Sequence, residues 1–78
     1  MRIRLYGRLV DGIGSETEVP APDGCTVAEI RRLFVAVHPA ATGALGRSRA
    51  FVEDRLVGED EHLSHHDVLE FLPPVSGG

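Results

Sequence analysis

A chain of 78 residues is expected to form one domain, and at that size only about 60–65% of the unfolded chain's surface can be buried on folding, so the core must be simple. With 42% hydrophobic and 26% charged residues the composition is that of a globular domain rather than a disordered segment, and no apolar run approaches the roughly 20 residues of a membrane span. Twelve acidic residues against eight basic ones give a formal charge of -4, which opposes nonspecific binding to a nucleic acid backbone.

All eight basic residues are arginines, so no lysine side chain is available to form an isopeptide with another copy of the chain. The single cysteine, Cys25, cannot form an internal disulfide, and no Cys/His spacing suggests a structural zinc site. The opening Met1-Arg2-Ile3-Arg4 lacks the apolar stretch of a signal peptide. These features together predict a cytoplasmic protein.

From Arg2 to Val10 the chain alternates, with Ile3, Leu5, Gly7 and Leu9 on one face and Arg2, Arg4, Tyr6 and Arg8 on the other. A period of two predicts a half-buried strand. Asp11 to Gly14 supply turn residues, and a shorter strand over Ser15 to Val19 would complete a hairpin. Thr26 followed by Glu29 forms a capping box that predicts a helix start near Val27. Ile30, Leu33, Phe34 and Val37 then define an apolar stripe toward the core, with Glu29, Arg31 and Arg32 pointing away. His38-Pro39 should stop the helix, since proline holds the residue before it in an extended conformation.

Ala40 to Ser48 reads either as a loop or as a short helical turn ending at Leu45-Gly46. Arg49 to Val52 predicts a strand, Glu53 to Arg55 a turn, and Leu56-Val57 a very short returning strand. Gly58 to Asp67 is polar apart from Leu63, which should anchor the loop to the core. Val68 to Leu72 is the last strand, with Leu69 and Phe71 on one face and Val68, Glu70 and Leu72 on the other. Pro73 cannot donate to a ladder and ends it. The order predicts an α+β roll, a mixed sheet of four to five strands with one main helix on one face and the first and last strands side by side.

The domain is therefore expected over 1–72, followed by a mobile tail over 73–78. Gly78 should end in a carboxylate at neutral pH. Gly77-Gly78, without side chains, can enter a narrow active-site channel, although Gly-Gly alone reads more readily as a frayed terminus. Six residues from Pro73 reach at most about 20 Å, enough to cross into a neighbour's cleft. Pro73-Pro74 favours polyproline geometry and lowers the entropy lost on straightening.

The run Leu69-Glu70-Phe71-Leu72-Pro73-Pro74-Val75-Ser76-Gly77-Gly78 resembles the C-terminus of the MoaD/ThiS sulfur carriers, most of all the small subunit of molybdopterin synthase. Ile3 to Leu9 is similar to that family's opening strand, and Thr26 to Ile30 to its helix start. The resemblance implies a ubiquitin-like β-grasp fold. It also implies that the chain is a carrier subunit and co-substrate rather than an enzyme, with no bound cofactor of its own. Gly78 would be adenylated by a ubiquitin-activating-type adenylyltransferase that uses ATP and magnesium, and a sulfur donor protein would convert it to a thiocarboxylate. The large subunit of molybdopterin synthase would then receive it and supply the catalytic residues for sulfur transfer to a pterin precursor. Phe71, Leu72, Pro73, Pro74, Val75, Ser76 and Gly77 would make the binding contacts. Related carriers supply sulfur for thiamine, cysteine or specialised metabolites, and a ubiquitin-like module whose tail is never activated is a further reading.

Two stretches depart from the family pattern. Members often carry Val-Asn before the short hairpin and Asp-Gly-Asp before the last strand, where this chain has Val52-Glu53 and His65-His66-Asp67. His62, His65 and His66 beside Glu59-Asp60-Glu61 do not have a diagnostic metal-ligand spacing and read as solvated loop residues. Cys25, just before the helix, has no second thiol or base at a spacing that suggests a nucleophile pair, and reads as structural. No nucleophile, base and orienting group occur together, which argues against an independent hydrolase or transferase.

Overall fold

The structure is a computed structural model and describes residues 1–73. Strand β1 (Arg2–Leu5) buries Ile3 and Leu5 and exposes Arg2 and Arg4, as the alternation predicts. It ends sooner than expected. Gly7 has φ +65°, and the chain wraps into a 3-10 turn over Gly7–Val10 that buries Leu9 from a direction no strand would provide. Arg8 therefore lies on that turn and not on the strand face it was expected to share with Arg2 and Arg4.

Strand β2 (Glu16–Glu18) returns antiparallel to β1 and pairs Arg2 with Glu18 and Arg4 with Glu16. Glu16 also reaches the side chains of Arg2 and Arg4 at 3.4 and 3.5 Å. These exposed pairs set register more than they stabilise, because solvent screens them.

Helix α1 (Val27–Val37) begins at the expected capping box. The Glu29 amide donates to the Thr26 hydroxyl at 3.2 Å, and the Thr26 amide donates to the Glu29 carboxylate at 2.9 Å. Val27, Ile30 and Phe34 are fully buried. The stripe is shorter than expected at its far end: Leu33 is only partly buried, and Val37 is 52% exposed beside Ile13 and Pro39, because the last turn overhangs the core. Arg31 does not point away. It turns under the helix, with a side chain 16% exposed.

His38 caps α1, its ring tilted against Phe34 with centroids 5.0 Å apart. The segment that read as loop or helical turn is helical: a 3-10 turn over Pro39–Ala41 runs into α2 (Thr42–Arg47), whose Leu45 is buried. Strands β3 (Arg49–Val52) and β4 (Arg55–Val57) form the expected hairpin. Its two turn residues, Glu53 and Asp54, both have positive φ, 50° and 63°. Such turns follow the twist of the flanking strands but strain any residue other than glycine, asparagine or aspartate.

The long polar connection to the last strand is held by backbone bonds. Leu63 is buried, as expected, and exchanges bonds of 2.8 Å with Gly24 and Cys25. The same loop accepts the free first amides of α1, with Val27 bonded to the Glu61 carbonyl and Ala28 to that of Glu59. Strand β5 (Val68–Leu72) pairs parallel to β1 and antiparallel to β3. The sheet order is β2-β1-β5-β3-β4, so the first and last strands are neighbours, as expected, and the last is central. Ile3, Leu5, Leu69 and Phe71 from the sheet meet Val27, Ile30 and Phe34 from α1 in one core, with Phe34 and Phe71 edge to face at 6.2 Å. Among the described residues no helix is long and apolar enough to cross a membrane.

Candidate functional site

The central position of β5 decides where the chain leaves the sheet after Leu72. The ladder holds through Leu72, whose backbone partner on β3 is Arg49. Pro73 follows, exposed and without an N–H to donate. It packs on Gly7: a Cβ added to Gly7 would lie 3.0 Å from Pro73 Cγ. Gly7 thus serves the exit twice, by its positive φ and by its lack of a side chain. A glycine that interrupts an alternating strand is the sequence signal for such close approach, though the alternation itself read Gly7 as a strand residue.

Beside Pro73 lies a groove of about 330 Å³ lined by Tyr6, Gly7, Arg8, Leu9, Ala44 and Arg47. Tyr6 crosses the outer face of the sheet, where its hydroxyl donates to Glu70 Oε2 at 2.6 Å. That bond to a carboxylate raises the pKa of the phenol, with a lesser contribution from burial. Beyond Glu70 the outer face becomes apolar. Phe51 pairs with Glu70 on one side and with Leu56 on the other, Leu72 lies one register step toward the exit, and Leu56 is 57% exposed. Apolar side chains next to the exit suit contact with another protein.

Of the expected binding residues, the structure brings Leu72 and Pro73 together at the exit, with Leu72 half-buried on the outer face. Phe71 is a correction: it is fully buried, pairs with Leu5 and Ala50, and serves the site by holding β5 from beneath. Pro74, Val75, Ser76, Gly77 and Gly78 lie outside the described residues. Arg31 was missed, because helical periodicity assigned it to solvent. Its guanidinium donates to both carboxylate oxygens of Glu59, to the Leu45 and Ser48 carbonyls and to Ser48 Oγ, and its carbon sits 4.8 Å from the centre of the Phe71 ring.

The histidines and the cysteine have structural surroundings. His62 Nδ1 donates to the Gly24 carbonyl at 2.7 Å, and His65 meets Asp23 through both its amide and its ring. His65 and His66 lie against each other with centroids 4.0 Å apart. Asp23 has its pKa lowered, first by the His65 amide and then by the His65 ring. Among the described residues no three His, Cys, Asp or Glu side chains are grouped to hold a metal ion. Cys25 is buried.

A five-stranded mixed sheet with helices on one face and a central last strand that ends at the surface is the ubiquitin-like β-grasp fold. Solved structures agree. Small archaeal modifier protein SAMP1 from Haloferax volcanii superposes with a TM-score of 0.82 at 22% identity, over 99% of this chain and 97% of its own. A protein described as a candidate molybdopterin converting factor, subunit 1, from Pyrococcus furiosus gives 0.81 at 23% identity, over 95% of each chain. A chain of the complex of subunits 1 and 2 of the molybdopterin-converting factor from Helicobacter pylori gives 0.69 at 23% identity, over 99% and 96%. No curated protein sequence matches the chain. The ThiS family model matches residues 3–78, and the chain belongs to the ThiS family.

Proposed function

We propose that this chain is a sulfur carrier whose Gly78 carboxylate is adenylated and converted to a thiocarboxylate, and that it acts as the small subunit of a molybdopterin synthase. The observation that carries this reading is the exit: a central strand, locked on both sides and braced from beneath, ends at Leu72, five residues before the Gly77-Gly78 pair. ThiS family membership supports the carrier chemistry. The likeness to a chain of the complex of subunits 1 and 2 of a molybdopterin-converting factor supports the molybdopterin branch.

In this reading the chain supplies the acyl group and the activating enzyme supplies catalysis. The Gly78 carboxylate attacks the α-phosphate of ATP, held with magnesium on a ubiquitin-activating-type adenylyltransferase, and pyrophosphate leaves. Sulfide attacks the acyl carbon, AMP leaves and the thiocarboxylate remains; where a donor protein presents the sulfur as a persulfide, the acyl disulfide that forms is cleaved by a thiol, which is oxidised to a disulfide with the donor as the thiocarboxylate leaves. The domain's own task is to bind outside the cleft while the tail reaches in. Phe51, Leu56 and Leu72 supply apolar contact, and Gly77 admits the terminus where a side chain would clash.

A second reading is favoured by the likeness to SAMP1, a modifier protein: the activated Gly78 would be transferred to an amine of a target protein. One experiment separates the two. The chain is incubated with the adenylyltransferase, ATP and magnesium, with sulfide or with a lysine-bearing target present, and the products are weighed intact and after alkylation. A terminal thiocarboxylate that alkylates at Gly78 supports the carrier. A conjugate without thiocarboxylate supports the modifier. Absence of ATP–pyrophosphate exchange overturns both.

A further inference from the structure

Four of the eight arginines are satisfied by carboxylates: Arg2 and Arg4 by Glu16, Arg31 by Glu59, and Arg55 by Glu61. The other four, Arg8, Arg32, Arg47 and Arg49, have no carboxylate within ion-pair distance among the described residues, and all four are exposed. Arg32 lies on α1, and the topology gathers the other three around the exit. Arg8 and Arg47 line the groove that Pro73 borders, and Arg49 is the backbone partner of Leu72. In a chain of net charge -4, cations without partners are thus concentrated where the tail leaves.

From this we infer that the exit is a cationic collar, and that the protein receiving the tail presents carboxylates around the mouth of its channel. The inference rests on the proposed carrier function and deepens it by naming the chemistry of the docking partner. Geometry requires the contact. Pro74 to Gly78 span at most about 17 Å fully extended, so the surface around Pro73 must lie against the channel mouth when Gly78 is at the reacting centre. Three guanidiniums brought there against a neutral or basic rim would lose hydration without compensation, whereas carboxylates offer forked, charge-assisted bonds. Such a collar steers association and fixes orientation, and it leaves the chemical step to the partner.

The test is steady-state ATP–pyrophosphate exchange by the adenylyltransferase, with the full-length chain as variable substrate at low and high salt. The chain carrying Arg8→Glu, Arg47→Glu and Arg49→Glu should raise KM for the carrier by about tenfold at low salt, with kcat retained and the salt dependence lost. The corresponding triple glutamine variant should raise it less, and it preserves the test should charge reversal impair folding. Arg32→Glu makes one such charge reversal on the exposed face of α1, away from the exit, and should match wild type where each single reversal at the exit raises KM. An unchanged KM in the triple variants overturns the collar while leaving the carrier reading intact. So does an equal effect of Arg32→Glu, which would reduce the collar to net charge, or a rise in KM for ATP alone, which would assign the arginines to nucleotide. Wild type that is not activated at all overturns the carrier reading and the collar with it.

Discussion

The guanidinium of Arg31 on α1 covers the ring of Phe71 on β5, 4.8 Å from its centre, while its nitrogens reach Leu45, Ser48 and Glu59. One side chain thus ties the helix, the α2–β3 corner and the β4–β5 loop to the strand that carries the exit. An arginine with its planar fork suits this place better than a lysine, because several acceptors diverge from one point.

Replacing Arg31 by alanine removes the guanidinium donors to the hydroxyl and carbonyl of buried Ser48, and leaves the Leu45 carbonyl with only its bonds from Ser48. We expect a loss of about 2–4 kcal/mol in urea unfolding, with Arg31→Lys recovering only part of it. A loss no larger than that of an ordinary surface arginine would show that the network is incidental.

The β3–β4 turn is a stability reserve. Glu53 occupies a left-handed conformation, and Asp54 follows it in the same region. The double change Glu53→Asn and Asp54→Gly should raise stability by about 1 kcal/mol, read as a higher thermal midpoint. His66 is a different case, since it does not adopt a positive φ and its backbone does not require glycine.

Gly7→Ala combines a strained φ with a Cβ placed against Pro73. Stability should fall by about 1–2 kcal/mol, and the amide resonances of Leu72 should shift as the exit is pushed aside. Ala44, in the same groove, serves as control: Ala44→Ser should leave the Leu72 resonance in place.

Three carboxylates have lowered pKa values in the folded chain: Asp23 through the His65 amide, Glu29 through the Thr26 amide and hydroxyl, and Glu61 through Arg55. Groups of this sign stabilise the fold above their unfolded pKa and cease to do so as pH falls through the lower folded one. The thermal midpoint should therefore drop as pH is taken from about 5 downward through the carboxylate range. In Glu29→Gln that drop should be shallower; an identical acid profile would remove Glu29 from the account.

Thr26 and Glu29 sit three residues apart, His38 precedes a proline, and Val68 to Leu72 alternate before another proline; each feature is local and acts on the backbone within a turn of itself. The helix and the last strand were legible for that reason. Local pattern did not reveal that Gly7 ends a strand, that Arg31 turns inward, that Val37 overhangs, or that Phe71 is core rather than contact surface. Those outcomes depend on what packs on the other side of each residue. Only tertiary structure brings Gly7 against Pro73 and sets Arg8, Arg47 and Arg49 around one exit. The reason is physical: β5 pairs at once with a strand from the start of the chain and with one from its middle, and separations of that length leave no period in the sequence.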